Sequence, residues 1–279
     1  MSTSVDFSRT ADDYATHRAG FPAELFRRLG GFGIGEPGQR IVDLGTGTGS
    51  LARGFSRRGA RVTGVDLAAS LLEKARAADA REGLSIDYVL APAEKTGLPS
   101  ASFEVVTAGQ CFHWFRRDEA SAEARRLLRP RGLLCIAHFD WIALPGDVVE
   151  ATEALIEEHN PAQPKPHMRH AGGSGIYSPW LRDVAIAGFS DIETLSFDVT
   201  VPYTPEGWRG RIRASQGVGA MLSESAVSAF DALKLLRVDM RGQYNDELLG
   251  EFVDLLGGWA RLSHELTGPD LPGVLRKAG

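Results

Sequence analysis

The stretch from Arg40 to Asp66, RIVDLGTGTGSLARGFSRRGARVTGVD, constrains the fold more than any other part of the chain. Ile41, Val42 and Leu44 read as a buried strand, and Gly45, Thr46, Gly47, Thr48 and Gly49 form a tight turn into a helix that carries Leu51, Ala52 and Phe55. A second strand, Arg61 to Val65, ends on Asp66. Strand, glycine turn, helix, strand and acid, in that order, is how a doubly wound fold holds an adenosine: glycines let the backbone approach the ligand, and a carboxylate accepts from the ribose hydroxyls. The stretch alone leaves open which adenosine cofactor is bound.

The chain continues in the same rhythm. Helix formers fill Ala69 to Ala80. A third strand is expected over Ser85 to Leu90 and a fourth over Phe103 to Ala108, running into Gly109-Gln110-Cys111-Phe112-His113-Trp114-Phe115. A helix from Asp118 to Leu128 stops at Arg129-Pro130-Arg131-Gly132, and Leu133 to His138 has the continuous apolar run of a central parallel strand. Such alternation predicts an α/β, doubly wound, Rossmann-like, mostly parallel sheet with helices on both faces and a largely helical C-terminal lid. The expected organisation is an N-terminal helical cap over 1–38, a cofactor-binding core over 39–145, and a C-terminal part over 146–279 that completes the sheet and forms the lid. In that last part helices are expected over Val148–His159, Pro179–Ala187, Glu206–Arg213 and Ser225–Met240, with partial strand alternation from Phe189 to Tyr203. Asn160 to Tyr177 reads as a loop, and 252–266 favours helix where a sheet of this type would accept a strand.

Composition narrows the function classes. A formal net charge of −5 argues against a general nucleic-acid binder. No apolar run approaches the roughly 20 residues of a membrane span, and no N-terminal export signal is visible, so a cytoplasmic protein without a membrane partner is expected. The two cysteines, Cys111 and Cys135, lie in apolar surroundings and read as buried free thiols. Seven histidines show no metal-ligand spacing, and no metal is expected; His167-Met-Arg-His170 lies in the proline-rich and glycine-rich loop. The helical C-terminal half allows a homodimer.

These motifs together resemble the class I S-adenosylmethionine-dependent methyltransferases, in the small-molecule branch that includes UbiE-like and trans-aconitate methyltransferases. The resemblance covers about Phe7 to Trp141. It is carried in order by VDLGTGTG over 42–49, Gly64-Val65-Asp66, Pro92-Ala93-Glu94 through Phe103, Gln110 to Phe115, and Leu128 to Gly132. It implies S-adenosylmethionine as cofactor, S-adenosylhomocysteine as product and a small-molecule methyl acceptor. It further implies that Gly45, Thr46 and Gly47 line the methionine and ribose portions, that Asp43 fixes the turn and reaches the amino group, and that Asp66 binds the ribose with Leu67 on the adenine. Ala93 and Glu94 would flank the adenine edge, where many relatives place an aspartate at the position of Pro92. Gln110 would stand at the cofactor edge, and Tyr14 and Arg18, four apart on an amphipathic N-terminal helix, would close over the methionine end.

Methyl transfer from a sulfonium is an in-line displacement, in which positioning and an apolar, water-poor pocket do most of the work. Phe112, Trp114, Phe139 and Trp141 follow the fourth and fifth strands, on the side where doubly wound folds bind ligands, and Trp180 and Trp208 would complete an aromatic pocket for an aromatic or flat metabolite methylated at carbon, oxygen or nitrogen. For a nucleophile that carries a proton, His113 is the expected base, with an ordinary pKa near 6.5, and Glu94, Tyr14 and His138 are candidates to orient it. The competing expectation is a nicotinamide-dependent oxidoreductase, which binds its cofactor with the same geometry. Against it stand a turn, GTGTGS, without glycine at its sixth position and a chain without a clear YxxxK dyad.

Overall fold

The computed structural model describes residues 16–17, 19–141, 148–160, 177–228 and 274–275. Two compact units divide the chain, one within Ala19–Asp140 and His167–Leu195, the other within Met1–Arg18, Trp141–Pro166 and Ser196–Gly279.

The first unit opens with helix α1, Ala23–Gly30, followed by β1, Arg40–Leu44, α2, Ser50–Ser56, β2, Arg61–Asp66, and α3, Ala69–Glu82. Next come β3, Asp87–Leu90, β4, Phe103–Gly109, a turn of 3-10 helix at Phe112–Trp114, α4, Arg117–Leu127, β5, Leu128–Ala137, and α6, Ser178–Ile186. The strands form one parallel sheet in the order β3-β2-β1-β4-β5. The strand order reverses between β1 and β4, so a crevice opens beyond their carboxyl ends, where such sheets take ligands.

Period-two alternation builds a core on each face of this sheet. Ile41, Val62 and Val105 pack with Phe26 and Leu29 of α1 and with Leu51, Ala52 and Phe55 of α2. Their chain neighbours point the other way: Val42, Leu44, Val65 and Val106 pack with Ala124 and Leu127 of α4. The doubly wound α/β fold read from the sequence is therefore present, with helices on both faces.

Three boundaries differ from expectation. The turn 129–132 lies inside β5: Phe103 pairs with Leu128 and Val105 with Leu133, so the intervening residues bulge out, with Arg131 in the left-handed region at φ 64°. The third strand starts at Asp87 instead of Ser85. Of the strand-like run from Phe189 to Tyr203, only β6, Val201–Pro202, is paired; Phe189 packs against the core beside α4 and Tyr203 against the core of the second unit, while Ile192 and Leu195 between them are 41% and 49% exposed.

The second unit contains α5, Val148–His159, then β6, α7, Pro205–Arg213, a π-helical turn at Gln216–Ala220, and β7, Val274–Leu275. Thr204 caps α7 by accepting from Gly207 N at 3.0 Å. Val149, Leu155, Ile156, Trp208, Ile212 and Val218 form the core of this unit. Its two strands pair antiparallel with each other and, among the described residues, add nothing to the central sheet. Most of 229–279 and the 161–176 loop, including His167 and His170, lie outside the described residues, as does the 252–266 segment. No described helix is long and apolar enough to cross a membrane.

Candidate functional site

The glycine turn follows β1 as the sequence requires. Gly45, Gly47 and Gly49 have φ of 62°, 56° and 77°, a region that residues with a Cβ rarely adopt. Crowding adds to the demand at Gly45, where a Cβ would come within 2.8 Å of Cys111 Sγ and 2.9 Å of the Phe115 ring. At Gly47 a Cβ would meet nothing within 4 Å, so the backbone there faces open space.

Carboxylates at the ends of β1 and β2 lock the turn from behind. Asp43, 1% exposed, accepts from the hydroxyls of Thr46 at 2.7 Å and Thr107 at 2.6 Å. Burial pushes its pKa up to about 6, against the two hydroxyls that favour its charge and with the help of the nearby Asp66 charge. Asp66 accepts from Gly47 N at 2.8 Å and Ala68 N at 2.9 Å, one through each oxygen. Each carboxylate oxygen has two acceptor directions, so Asp66 keeps one per oxygen for a ligand. Leu67 beside it is 74% exposed, an apolar side chain set against the polar grip of Asp66.

The second wall comes from the turn after β4. Cys111 donates its thiol to Leu44 O at 3.1 Å, and burial holds that thiol well above the ordinary cysteine range. Both cysteines are free; Cys111 is buried and Cys135 half-buried. Gln110 adopts φ 60° and braces the exit of β5: its side chain accepts from Phe139 N at 2.6 Å and donates to Phe139 O at 3.0 Å and Asp140 Oδ1 at 3.1 Å. Its amide thus bonds both the Phe139 backbone and the Asp140 carboxylate. Glu94 is likewise engaged within the chain, accepting from Arg116 N at 2.9 Å where α4 begins. Ala93 is buried in the core between sheet and α4.

The aromatic residues fall into groups. Phe112 and Trp180 meet edge to face at 5.4 Å in a buried cluster with Val184. Trp114 is 44% exposed and lies 4.8 Å from the His113 ring, and Phe139 faces Phe21 at 6.3 Å. In the other unit Trp141 and Trp208 meet edge to face at 5.5 Å. Tyr14 and Arg18 lie outside the described residues.

The structure also brings in groups that the sequence reading did not single out. Thr107 holds Asp43, and its only sequence signal was a hydroxyl inside the apolar run of β4. Asp140 and Tyr177 gather at His138: the tyrosine hydroxyl donates to Asp140 Oδ2, and His138 Nδ1 stands 3.6 Å from the same oxygen. Nothing local to Tyr177, 37 residues away, announces that contact.

Comparison with known proteins agrees with this geometry. Residues 42–136 match the family described as a methyltransferase domain. Among similar sequences are the malonyl-[acyl-carrier protein] O-methyltransferase of Serratia marcescens, 34% identical over 46% of this chain and 49% of that protein, and the ubiquinone/menaquinone biosynthesis C-methyltransferase UbiE of Bordetella avium, 34% identical over 44% and 51%. The chain thus spans about half the length of these relatives. A solved structure from Anaeromyxobacter dehalogenans, proposed to be a type II methyltransferase, aligns over 76% of this chain and 89% of its own with a TM-score of 0.53 and 24% identity, which shows a shared fold.

Proposed function

With residues 42–136 being a methyltransferase domain of the class I, S-adenosylmethionine-dependent kind, we propose that this chain transfers the methyl group of S-adenosylmethionine to a small-molecule acceptor. One observation carries the reading: the open backbone over Gly47, the two free acceptor directions of Asp66 and the exposed Leu67 stand side by side at the sheet's reversal point. That set fits an adenosine, whose ribose offers two hydroxyl donors and whose base offers a flat apolar face.

In this reading Asp66 takes the ribose hydroxyls and Leu67 lies on the adenine. The bound donor supplies an electrophilic methyl on a sulfonium, a charge lost in the reaction, so the chain needs no anion hole. Its task is to hold the acceptor atom near 3 Å from the methyl and in line with the bond that breaks, which is worth several of the roughly 7 to 11 kcal/mol available to positioning. Asp43, hidden behind the turn, sets Thr46 and the turn itself. His113, on the 3-10 turn after β4, takes the acceptor's proton. The exposed indole of Trp114 beside it suits a flat acceptor.

Titration calorimetry of the full chain tests the reading. Saturable binding of S-adenosylhomocysteine with no heat from NAD(P)H is expected; the reverse pattern would replace the methyltransferase by an oxidoreductase.

A further inference from the structure

We propose that Arg53 is a positioning residue for the donor site: set between Asp79 and Glu82, its guanidinium fixes the Thr48–Gly49 end of the glycine turn and so shapes the surface that takes the amino-acid end of S-adenosylmethionine. The inference rests on the methyl-transfer reading above and deepens it, by dividing the turn into a half held by the strand carboxylates and a half held by this cation.

The two halves are secured differently. Asp43 and Asp66 reach only as far as Thr46 and Gly47. Beyond them Gly49 stands at φ 77° as the residue before α2, and no side chain caps that helix start. Arg53, one turn into α2, reaches back instead, and its Nη1 donates to Thr48 O at 2.5 Å. Gly49 N donates to Thr46 O at 2.9 Å, so the Thr48–Gly49 peptide is held at both of its polar atoms. The bond from Arg53 is charge-assisted, the stronger kind.

Arg53 is itself held from three directions. Its side chain is 14% exposed, with Asp79 Oδ1 3.6 Å from Nη1 and Glu82 Oε1 3.4 Å from Nε, both carboxylates coming from the last turn of α3. Tyr88 of β3 closes the third side. A Cβ at Gly49 would stand 2.6 Å from the Tyr88 hydroxyl and 3.0 Å from Arg53 Nη1, and a Cβ at Gly64 would stand 2.7 Å from the Tyr88 ring. One tyrosine thus demands glycine both on the turn and on β2. Burial, and then Asp79, hold its hydroxyl well above the ordinary tyrosine range, so it packs there as a neutral group.

A buried ionic cluster is a weak source of net stability, because desolvation of the charges offsets their attraction. It does supply one fixed geometry, and here that geometry falls on the turn. In the methyl-transfer reading adenosine is gripped elsewhere, by Asp66 and Leu67, and Asp66 is braced by Gly47 N and Ala68 N without help from Arg53. Disturbing Arg53 should therefore be felt at the amino-acid end of the donor and far less at the nucleoside.

Calorimetry of the full chain with two probes reads this division. S-adenosylhomocysteine carries both ends, whereas 5′-methylthioadenosine keeps the adenosine and the sulfur but lacks the amino-acid end. Arg53→Gln, which removes the charged donor to Thr48 O, should weaken S-adenosylhomocysteine about tenfold while 5′-methylthioadenosine changes by less than about twofold. Arg53→Lys keeps the charge between the two acids but not the planar fork, and should restore S-adenosylhomocysteine to within about threefold of the unsubstituted protein. General damage to the site would weaken both probes together, so equal losses, or affinities unchanged for both, overturn the assignment. If Arg53→Gln does not fold, Arg53→Lys decides by whether its smaller loss falls on S-adenosylhomocysteine alone. Failure of the unsubstituted protein to bind S-adenosylhomocysteine sinks the methyl-transfer reading and this inference with it; binding without the split between probes sinks the role of Arg53 only.

Discussion

At the scale of single residues, two carboxylates at the ends of neighbouring strands do different work. Asp43 is buried and fixes hydroxyls, and its pKa is raised to about 6 in the folded chain from 3.8. A raised carboxylate pKa means that the folded state binds the proton more tightly, so this group favours folding below pH 3.8 and loses that contribution as pH rises to about 6. The difference amounts to about 3 kcal/mol. Asp43→Asn, which can still bond both threonines, should flatten the stability profile between pH 4 and 6 in urea titrations. Gly45→Ala combines a strained φ with a clash against Cys111 and Phe115, and should cost about 1 to 3 kcal/mol of stability in the same assay. Asp66→Ala removes the acceptor of Gly47 N and Ala68 N; calorimetry should show S-adenosylhomocysteine affinity falling at least about tenfold, the loss of roughly one charge-assisted hydrogen bond.

At the scale of elements, α4 is tied to the loop before β4 by Glu123, which accepts from Thr96 N at 2.9 Å, from Thr96 Oγ1 at 2.6 Å and from Arg126. Burial pushes this carboxyl up, but Arg126 and Thr96 outweigh it and bring its pKa to about 2. Lowered in the folded state, it contributes stability above about pH 4.5 that is lost as pH falls towards 2, the opposite sign to Asp43. Thr96→Val should therefore destabilise the chain by about 1 to 2 kcal/mol at neutral pH, with less loss near pH 2, as read by thermal unfolding. The elements that the sequence announced well are those whose residues repeat a single demand: β1, β2 and β4 with their apolar runs, α5 with both its ends, and the glycine turn. Harder to read were elements decided at a distance. The bulge at 129–132 depends on where Phe103 and Val105 find partners, and the run from Phe189 to Tyr203 packs at Phe189 and Tyr203 but leaves Ile192 and Leu195 exposed between them. The same holds within the site. Asp43, Gly45, Gly47, Asp66 and His113 stand out by local pattern, whereas the bonds of the Gln110 amide to Phe139 and Asp140 join residues far apart in the chain and have no local signal.

At the scale of the whole molecule, the glycine turn, its two carboxylates and His113 all belong to one of the two compact units. Ligand binding there should stabilise that unit by mass action: at a hundred times its Kd, S-adenosylhomocysteine should add about 2.7 kcal/mol to the urea unfolding of the region reported by fluorine-labelled Trp114 and Trp180. The grip of Asp66 on its own turn has a further consequence for how such a catalyst would work in a cell. Because Asp66 is braced by Gly47 N and Ala68 N, and because the groups assigned to ribose and adenine are the same in methylated donor and demethylated thioether, the cradle discriminates little between fuel and ash. Throughput would then follow the ratio of the two in the surrounding pool, and whatever hydrolyses the spent thioether would act as the throttle of this reaction without ever touching the protein.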